Sequence, residues 1–176
     1  MTAETAAPLR IPSAPERADI VVDVTAEEHA TIGAVVLAAA TVQDEVLSIV
    51  DDDDFADARC RFTMSVVREM RTEMLPVDMV TIIGYVARHA LLDSCAPRGI
   101  LASWLHETTG AAPVPASAPW YADQVVESAA RRAAQYAGQR ITAAAEGDAL
   151  GDLQAIVTAE LTTVTAAISR VGGVNV

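Results

Sequence analysis

The 176-residue chain contains no lysine, so all twelve of its basic side chains are arginines, and 24 acidic residues outnumber them. The net charge of −12 disfavours direct binding to nucleic acid, because that affinity comes mainly from cations that neutralise phosphates. The lysine of a GxxxxGK[ST] phosphate loop is also missing, which excludes this nucleotide-binding motif. These absences argue against a DNA-binding domain and against a P-loop ATPase.

Aromatic residues are also scarce, at 4% of the chain, whereas 52% of the residues are hydrophobic and many of those are alanines. This composition favours close-packed helices over sheets. The two cysteines, Cys60 and Cys95, match no metal-binding or redox spacing, so we expect reduced, structural thiols. No apolar run reaches the roughly 18 residues of a membrane span, and residues 1–20 lack the features of a signal peptide. We therefore expect a cytoplasmic protein.

Residues 25–40 form a strongly helical pattern, and we expect the rest of the domain to pack around them. Thr25 and Glu28 have the spacing of a capping box, and aliphatic residues then recur every three or four positions. Gly33 interrupts this apolar stripe, although glycine costs a helix about 1 kcal/mol relative to alanine. A glycine at this position predicts that a neighbouring helix approaches closely.

Several shorter helical patterns follow, and the signals for their ends lie close by in the sequence. Asp78 is a natural N-cap for the helix after Pro76, and Pro97 suits the first turn of another helix. Residues 110–119 contain three prolines and form a loop.

Two long helical patterns, over residues 120–145 and 151–171, are separated by a short turn and predict an antiparallel hairpin. The sequence thus predicts an all-α fold, with a compact helical globule in residues 25–115 followed by a long antiparallel helical hairpin in residues 116–171. Residues 1–24 are expected to be a disordered or extended tail. Residues 172–176, which include a glycine pair, are expected to be a flexible end.

No arrangement of catalytic residues is visible in the sequence. The three histidines, His29, His89 and His106, lie on different predicted helices and have no identifiable partner of the kind that acid–base catalysis needs. The four aspartates at positions 51–54 favour a solvated turn that caps the next helix over a metal site, because no second carboxylate cluster follows. We expect no catalytic residue, cofactor or metal, and hence no enzyme. An enzyme with an unrecognised acidic site around these aspartates is the alternative.

Four arginines, Arg59, Arg61, Arg68 and Arg71, lie on one predicted helix. They form a candidate docking patch for an acidic partner or DNA. The favoured interpretation is a solvated face whose charge balances the aspartates at positions 51–54.

Four stretches, in order, resemble the N-terminal domain of DnaB-type replicative helicases. They are EEHATIGAVVL at 27–37, DDFADARCRFTMSVV at 53–67, LPVDMVTI at 75–82 and WYADQVVESAARR at 120–132. The third is the most specific, with a proline, hydrophobic residues, an aspartate and a Val-Thr pair leading into a helix. Cys60 departs from the pattern, because the family commonly has a histidine there. The resemblance covers roughly residues 25–171.

The resemblance implies an all-helical globule with a helical hairpin. In the helicases this domain forms a collar, associates through the hairpins, and contacts primase and the motor. The motor is a separate RecA-like ATPase, and the chain ends where the motor would begin. We therefore expect a non-enzymatic module of DNA replication, from a phage or an actinobacterium, that binds a replicative helicase, primase or loader to assist or obstruct assembly. The alternative is a homodimeric structural or regulatory protein outside replication.

Self-association through the hairpin is also expected, because a projecting hairpin has two broad faces and its own globule cannot cover both. The predicted interface consists of apolar residues from both arms: Tyr121, Val125, Leu153, Ile156, Val157, Leu161, Val164 and Ile168. The expected product is a homodimer, for which two-fold pairing is the commonest arrangement, or a higher oligomer. A hairpin folded back on its own globule is the alternative.

Overall fold

The computed structural model describes residues 24–91, 98–112, 114–147 and 150–172, and within these ranges every regular element is helical. Short 3-10 turns lie at Asp52–Asp54 and Pro115–Ser117. The α-helices are α1 (Val24–Leu37), α2 (Ala40–Ile49), α3 (Ala58–Thr72), α4 (Met79–Arg88), α5 (Arg98–Ala111), α6 (Ala118–Gly147) and α7 (Leu150–Gly172). The predicted all-α fold is confirmed. The predicted tail and flexible end lie outside the described residues, except that Val24 begins α1 and Gly172 ends α7.

Helix α1 lies at the centre of the globule, in contact with α2, α3, α5 and α6. Ile32, Ala34 and Val35 on its inner face are completely buried, whereas Leu37 at its end is exposed. The predicted capping box is wrong, because α1 already begins at Val24 and Thr25 lies inside it. Glu28 has a different role: its carboxylate accepts hydrogen bonds from the backbone N–H groups of Ala56 and Asp57, at 2.8 and 2.9 Å.

The close approach predicted at Gly33 is confirmed. A Cβ atom added to Gly33 would lie 2.3 Å from the carbonyl oxygen of Thr108 and 2.8 Å from the Cβ atom of Ala112. Both distances are far below van der Waals contact, so α1 and the end of α5 pack backbone against backbone here. Only glycine fits this crossing without moving one of the helices.

The predicted cap of α4 is also confirmed. The Asp78 carboxylate accepts hydrogen bonds from the N–H groups of Val80 and Thr81, at 2.8 and 2.9 Å. The Asp78 N–H donates in return to the Thr81 hydroxyl at 2.8 Å. This reciprocal pairing satisfies backbone donors that the first turn of a helix leaves free.

Helix α6 belongs to both parts of the molecule. One face of its first half packs into the globule, where Ala118, Ala122 and Val125 are fully buried. Its second half packs against α7 through buried alanines, Ala137 and Ala144. The 30-residue α6 and the 23-residue α7 thus form the predicted hairpin. None of the helices in the described ranges is long and apolar enough to span a bilayer.

Candidate interaction surface on the helical hairpin

The outward face of α7 is uncharged over a long stretch. Between positions 153 and 169 the one charged residue is Glu160, which is buried and pairs with Arg140 of α6 at 2.8 Å. The two most exposed large apolar side chains on this helix are Leu161, at 56%, and Ile168, at 57%. They are seven residues apart and therefore lie on the same face. In a chain that is 20% charged, such a face is suited to contact with another protein.

Small residues surround Leu161 and leave this face shallow. Thr158, Thr162 and Ala166 are among the residues that line it. The hydroxyl groups of Thr158 and Thr162 donate to carbonyl oxygens one turn earlier in α7, each at 2.8 Å. Their hydrogen-bonding needs are thus met within the helix, which lowers the cost of covering them with an apolar partner.

The eight predicted interface residues differ in their solvent exposure and fall into three groups. Leu161 and Ile168 are exposed as expected. Five are partly buried, namely Tyr121, Leu153, Ile156, Val157 and Val164. Val125 is completely buried in the globule, so including it in a self-association surface was wrong. The physical reason is that the first half of α6 is part of the globular core, whereas the sequence pattern assigned it to the hairpin.

A partly buried ion pair joins the base of the hairpin to the globule. The Arg170 guanidinium, near the end of α7, donates to both carboxylate oxygens of Asp54 at 2.7 and 2.6 Å. This contact raises the pKa of Arg170. Asp51 lies 3.2 Å from the same guanidinium, and Arg132 of α6 donates to the Asp54 carbonyl oxygen. The hairpin therefore meets the globule at its base, and its distal part projects away.

The four consecutive aspartates have another role than the one predicted. They form a 3-10 turn in which the Asp51 N–H donates to the Asp54 carboxylate at 2.7 Å. Asp54 is buried and holds Arg170, so the turn is only partly solvated. The N-cap of α3 is Asp57, whose carboxylate accepts from the Arg59 N–H at 2.8 Å. The prediction that the aspartate run caps this helix was therefore wrong.

The four arginines of α3 all have partners within the chain. Arg59 pairs with Asp57 at 2.7 Å and Arg71 pairs with Asp44 at 2.8 Å. Arg61 donates to the Phe55 carbonyl oxygen at 2.8 Å and lies 3.9 Å from Asp53. Arg68 contacts Asp52 at 3.2 Å and donates to the Leu47 and Val50 carbonyl oxygens at the end of α2. These contacts favour the charge-balancing interpretation over a free docking patch.

Three side chains of types that can ligate a metal lie together in the fold, a grouping that the sequence did not indicate. His29 Nε2 lies 3.2 Å from Asp57 Oδ2, and one ligand atom from each of His29, Asp57 and Cys60 lies within 4.8 Å of the other two. The hydrogen bond from the Arg59 side chain has the largest effect on the pKa of Asp57 and lowers it. Burial raises the pKa of the Cys60 thiol. No partner for His29 was identifiable from the sequence. Its partner comes from a helix start 28 residues away, which no local pattern indicates.

A comparison with protein families matches residues 22–127 to the DnaB-like helicase N-terminal domain. This match covers more than half of the chain. The chain belongs to this family. The resemblance seen in the four sequence stretches is thereby confirmed.

The structural comparison agrees with the DnaB assignment. The solved crystal structure of the N-terminal domain of DnaB helicase from Mycobacterium tuberculosis matches this fold with a TM-score of 0.68 and 25% sequence identity. The match covers 78% of this chain and 95% of that one. A comparison with curated proteins found no match. The chain is therefore a helical module related to replicative helicases.

Proposed function

We propose that this DnaB-like domain is a non-enzymatic interaction module of DNA replication that associates through the distal part of its hairpin. Its partners are a second copy of the chain and a replicative helicase, with primase or a helicase loader as further partners implied by the family. By binding there it assists or obstructs assembly of the helicase. The observation that carries this proposal is the uncharged outward face of α7.

The placement of charge supports a protein partner for this face. Glu160 would interrupt the uncharged stretch, but it is buried between the arms and neutralised by Arg140. Leu161 and Ile168 remain exposed although the chain has a net charge of −12 and its surface is rich in carboxylates. The apolar strip formed by Leu161 and Ile168 is suited to contact with an apolar strip on another protein, because burying apolar area stabilises a complex without desolvating charge.

The same charges argue against nucleic acid as the ligand. Phosphate binding needs unpaired cations on the surface, and the α3 arginines are held by Asp44, Asp52 and Asp57 or by backbone carbonyl groups. Arg170 and Arg132 contact Asp54 at the base of the hairpin. Contact with DNA is therefore made by a partner and not by this domain.

The test is the concentration dependence of self-association, measured by light scattering on the full chain. We expect a dimer or larger species in the wild type, and a monomer after the double substitution Leu161→Asp and Ile168→Asp. Ile100→Asp is the matched control, since Ile100 is also 54% exposed but lies on α5. It should associate like the wild type.

Two results would overturn this assignment of the surface. One is a wild-type chain that stays monomeric at about 100 μM, because a dimer with a micromolar dissociation constant would form at that concentration. The other is a double variant that stays folded, by circular dichroism, and still associates like the wild type. A chain that self-associates but binds no helicase would favour the alternative of a homodimeric structural or regulatory protein.

A further inference from the structure

The group formed by His29, Asp57 and Cys60 lies on the globule, where α1 meets the start of α3. Cys60 is completely buried, the side chain of Asp57 is 11% exposed and that of His29 is 33% exposed. The cluster therefore has a closed side at the thiol and an open side at the imidazole. It takes no part in the hairpin surface described above.

The spacing of the three ligand atoms suits a small tetrahedral metal ion. With bond lengths of about 2.0–2.3 Å, neighbouring ligands of tetrahedral zinc lie roughly 3.4 Å apart. His29 Nε2 and Asp57 Oδ2 are already 3.2 Å apart. One ligand atom from each of the three residues lies within 4.8 Å of the others, so the distances to Cys60 Sγ need to shorten by no more than about 1.4 Å to reach this spacing.

We propose that His29, Asp57 and Cys60 bind one zinc ion. A thiolate and an imidazole select zinc over magnesium or calcium, which prefer oxygen ligands. Three protein ligands leave a fourth position for water, and the exposed edge of His29 gives that water access from solvent. On binding, zinc forms bonds to sulfur, nitrogen and oxygen, and the thiol proton of Cys60 is released to solvent.

In the metal-free protein, Arg59 occupies the Asp57 carboxylate that the metal would bind. Its guanidinium holds both carboxylate oxygens of Asp57, at 3.2 and 2.7 Å, and lies over the ring of Trp104. Zinc needs the Asp57 oxygen that Arg59 occupies. The side chain of Arg59 is 47% exposed, so it can leave for solvent without unpacking the core. Removing Arg59 should therefore strengthen metal binding.

The test uses zinc and cobalt(II) ions alone, added to the full chain after treatment with a chelator under reducing conditions. Calorimetry should show one zinc ion per chain. Cobalt should give the near-ultraviolet charge-transfer band of a thiolate ligand. Cys60→Ser should abolish the band and weaken zinc binding by more than the roughly 10–100-fold cost of losing an outer-shell partner. Cys95→Ser, which removes the other cysteine, is the matched control and should leave both unchanged.

Two further variants separate ligation from folding. His29→Gln changes a partly exposed side chain and should weaken zinc binding as Cys60→Ser does, while circular dichroism stays unchanged. Arg59→Ala should tighten zinc binding. In a Trp120→Phe background the remaining tryptophan is Trp104, whose ring centroid lies 5.8 Å from that of His29. Cobalt should therefore quench its fluorescence.

Three results would overturn the proposal. They are the absence of zinc binding at one equivalent, zinc binding that Cys60→Ser and His29→Gln leave unchanged, and a charge-transfer band that disappears with Cys95 instead of Cys60. The last two would mean that the metal binds adventitiously elsewhere on this acidic chain.

Discussion

Replacing Gly33 by alanine tests the central helix crossing of the fold. The new Cβ atom would lie 2.3 Å from the Thr108 carbonyl oxygen, about 1 Å inside an ordinary contact distance. Because the obstructing atom belongs to the backbone, α1 and α5 must move apart, and overpacking of this kind costs about 1–3 kcal/mol. Alanine returns up to about 1 kcal/mol through its higher helix propensity. The separation of only 2.3 Å from a backbone atom places the cost at the upper end of this range, so we expect the free energy of unfolding to fall by about 2 kcal/mol.

Gly138→Ala is the matched control for this experiment. Gly138 is also inside a helix, but a Cβ atom there would meet nothing within 4 Å. The same substitution should therefore stabilise the protein by about 0.5–1 kcal/mol. Urea denaturation followed by far-ultraviolet circular dichroism measures both changes. A Gly33→Ala protein that is as stable as the wild type, or more stable, would refute the close crossing of α1 and α5.

Three further predictions concern charged groups. Asp78→Ala should lower the free energy of unfolding by about 0.5–2 kcal/mol, whereas Asp78→Asn should stay near the wild type in urea denaturation. Arg170→Ala leaves the buried Asp54 carboxylate without its main counter-ion. We expect the free energy of unfolding to fall by only about 1–2 kcal/mol, because the arginine is partly exposed to solvent. Amide exchange in the last turns of α7 should become faster. The folded-state pKa of Asp57 is lowered, so its stabilising contribution is complete above its unfolded pKa of about 3.9 and disappears as the pH falls through the folded value. Asp57→Asn should therefore lose stability less steeply than the wild type below about pH 4.

Features set by nearby residues were predictable from the sequence. The stripe of α1 repeats every three or four positions, and the cap of α4 joins Asp78 to residues within the next turn. The close approach at Gly33 followed from a glycine that helix propensity alone would disfavour. The two arms of the hairpin followed from long helical patterns around a short turn. In each case the local pattern admits few competing structures.

Features that depend on distant residues were not predictable in the same way. Glu28 follows a threonine by three residues, and this spacing is the same whichever role the glutamate has. It could cap its own helix, but in the structure it binds the backbone of Ala56 and Asp57. Arg170 reaches Asp54 across 116 residues, and no periodic signal links the two. Val125 looked like a hairpin residue because α6 is one continuous helix, although its first half is core. Only the packing of helices decides which segment of such a helix is covered.

The most direct test of the proposed function is mixed assembly with a replicative helicase. The full chain would be combined with the replicative helicase encoded in the same genome, and native mass spectrometry would record the complexes. We predict species that contain both proteins, and their loss when Leu161 and Ile168 are both changed to aspartate. If the wild-type chain self-associates under these conditions but no mixed species forms, the assignment to helicase assembly is contradicted.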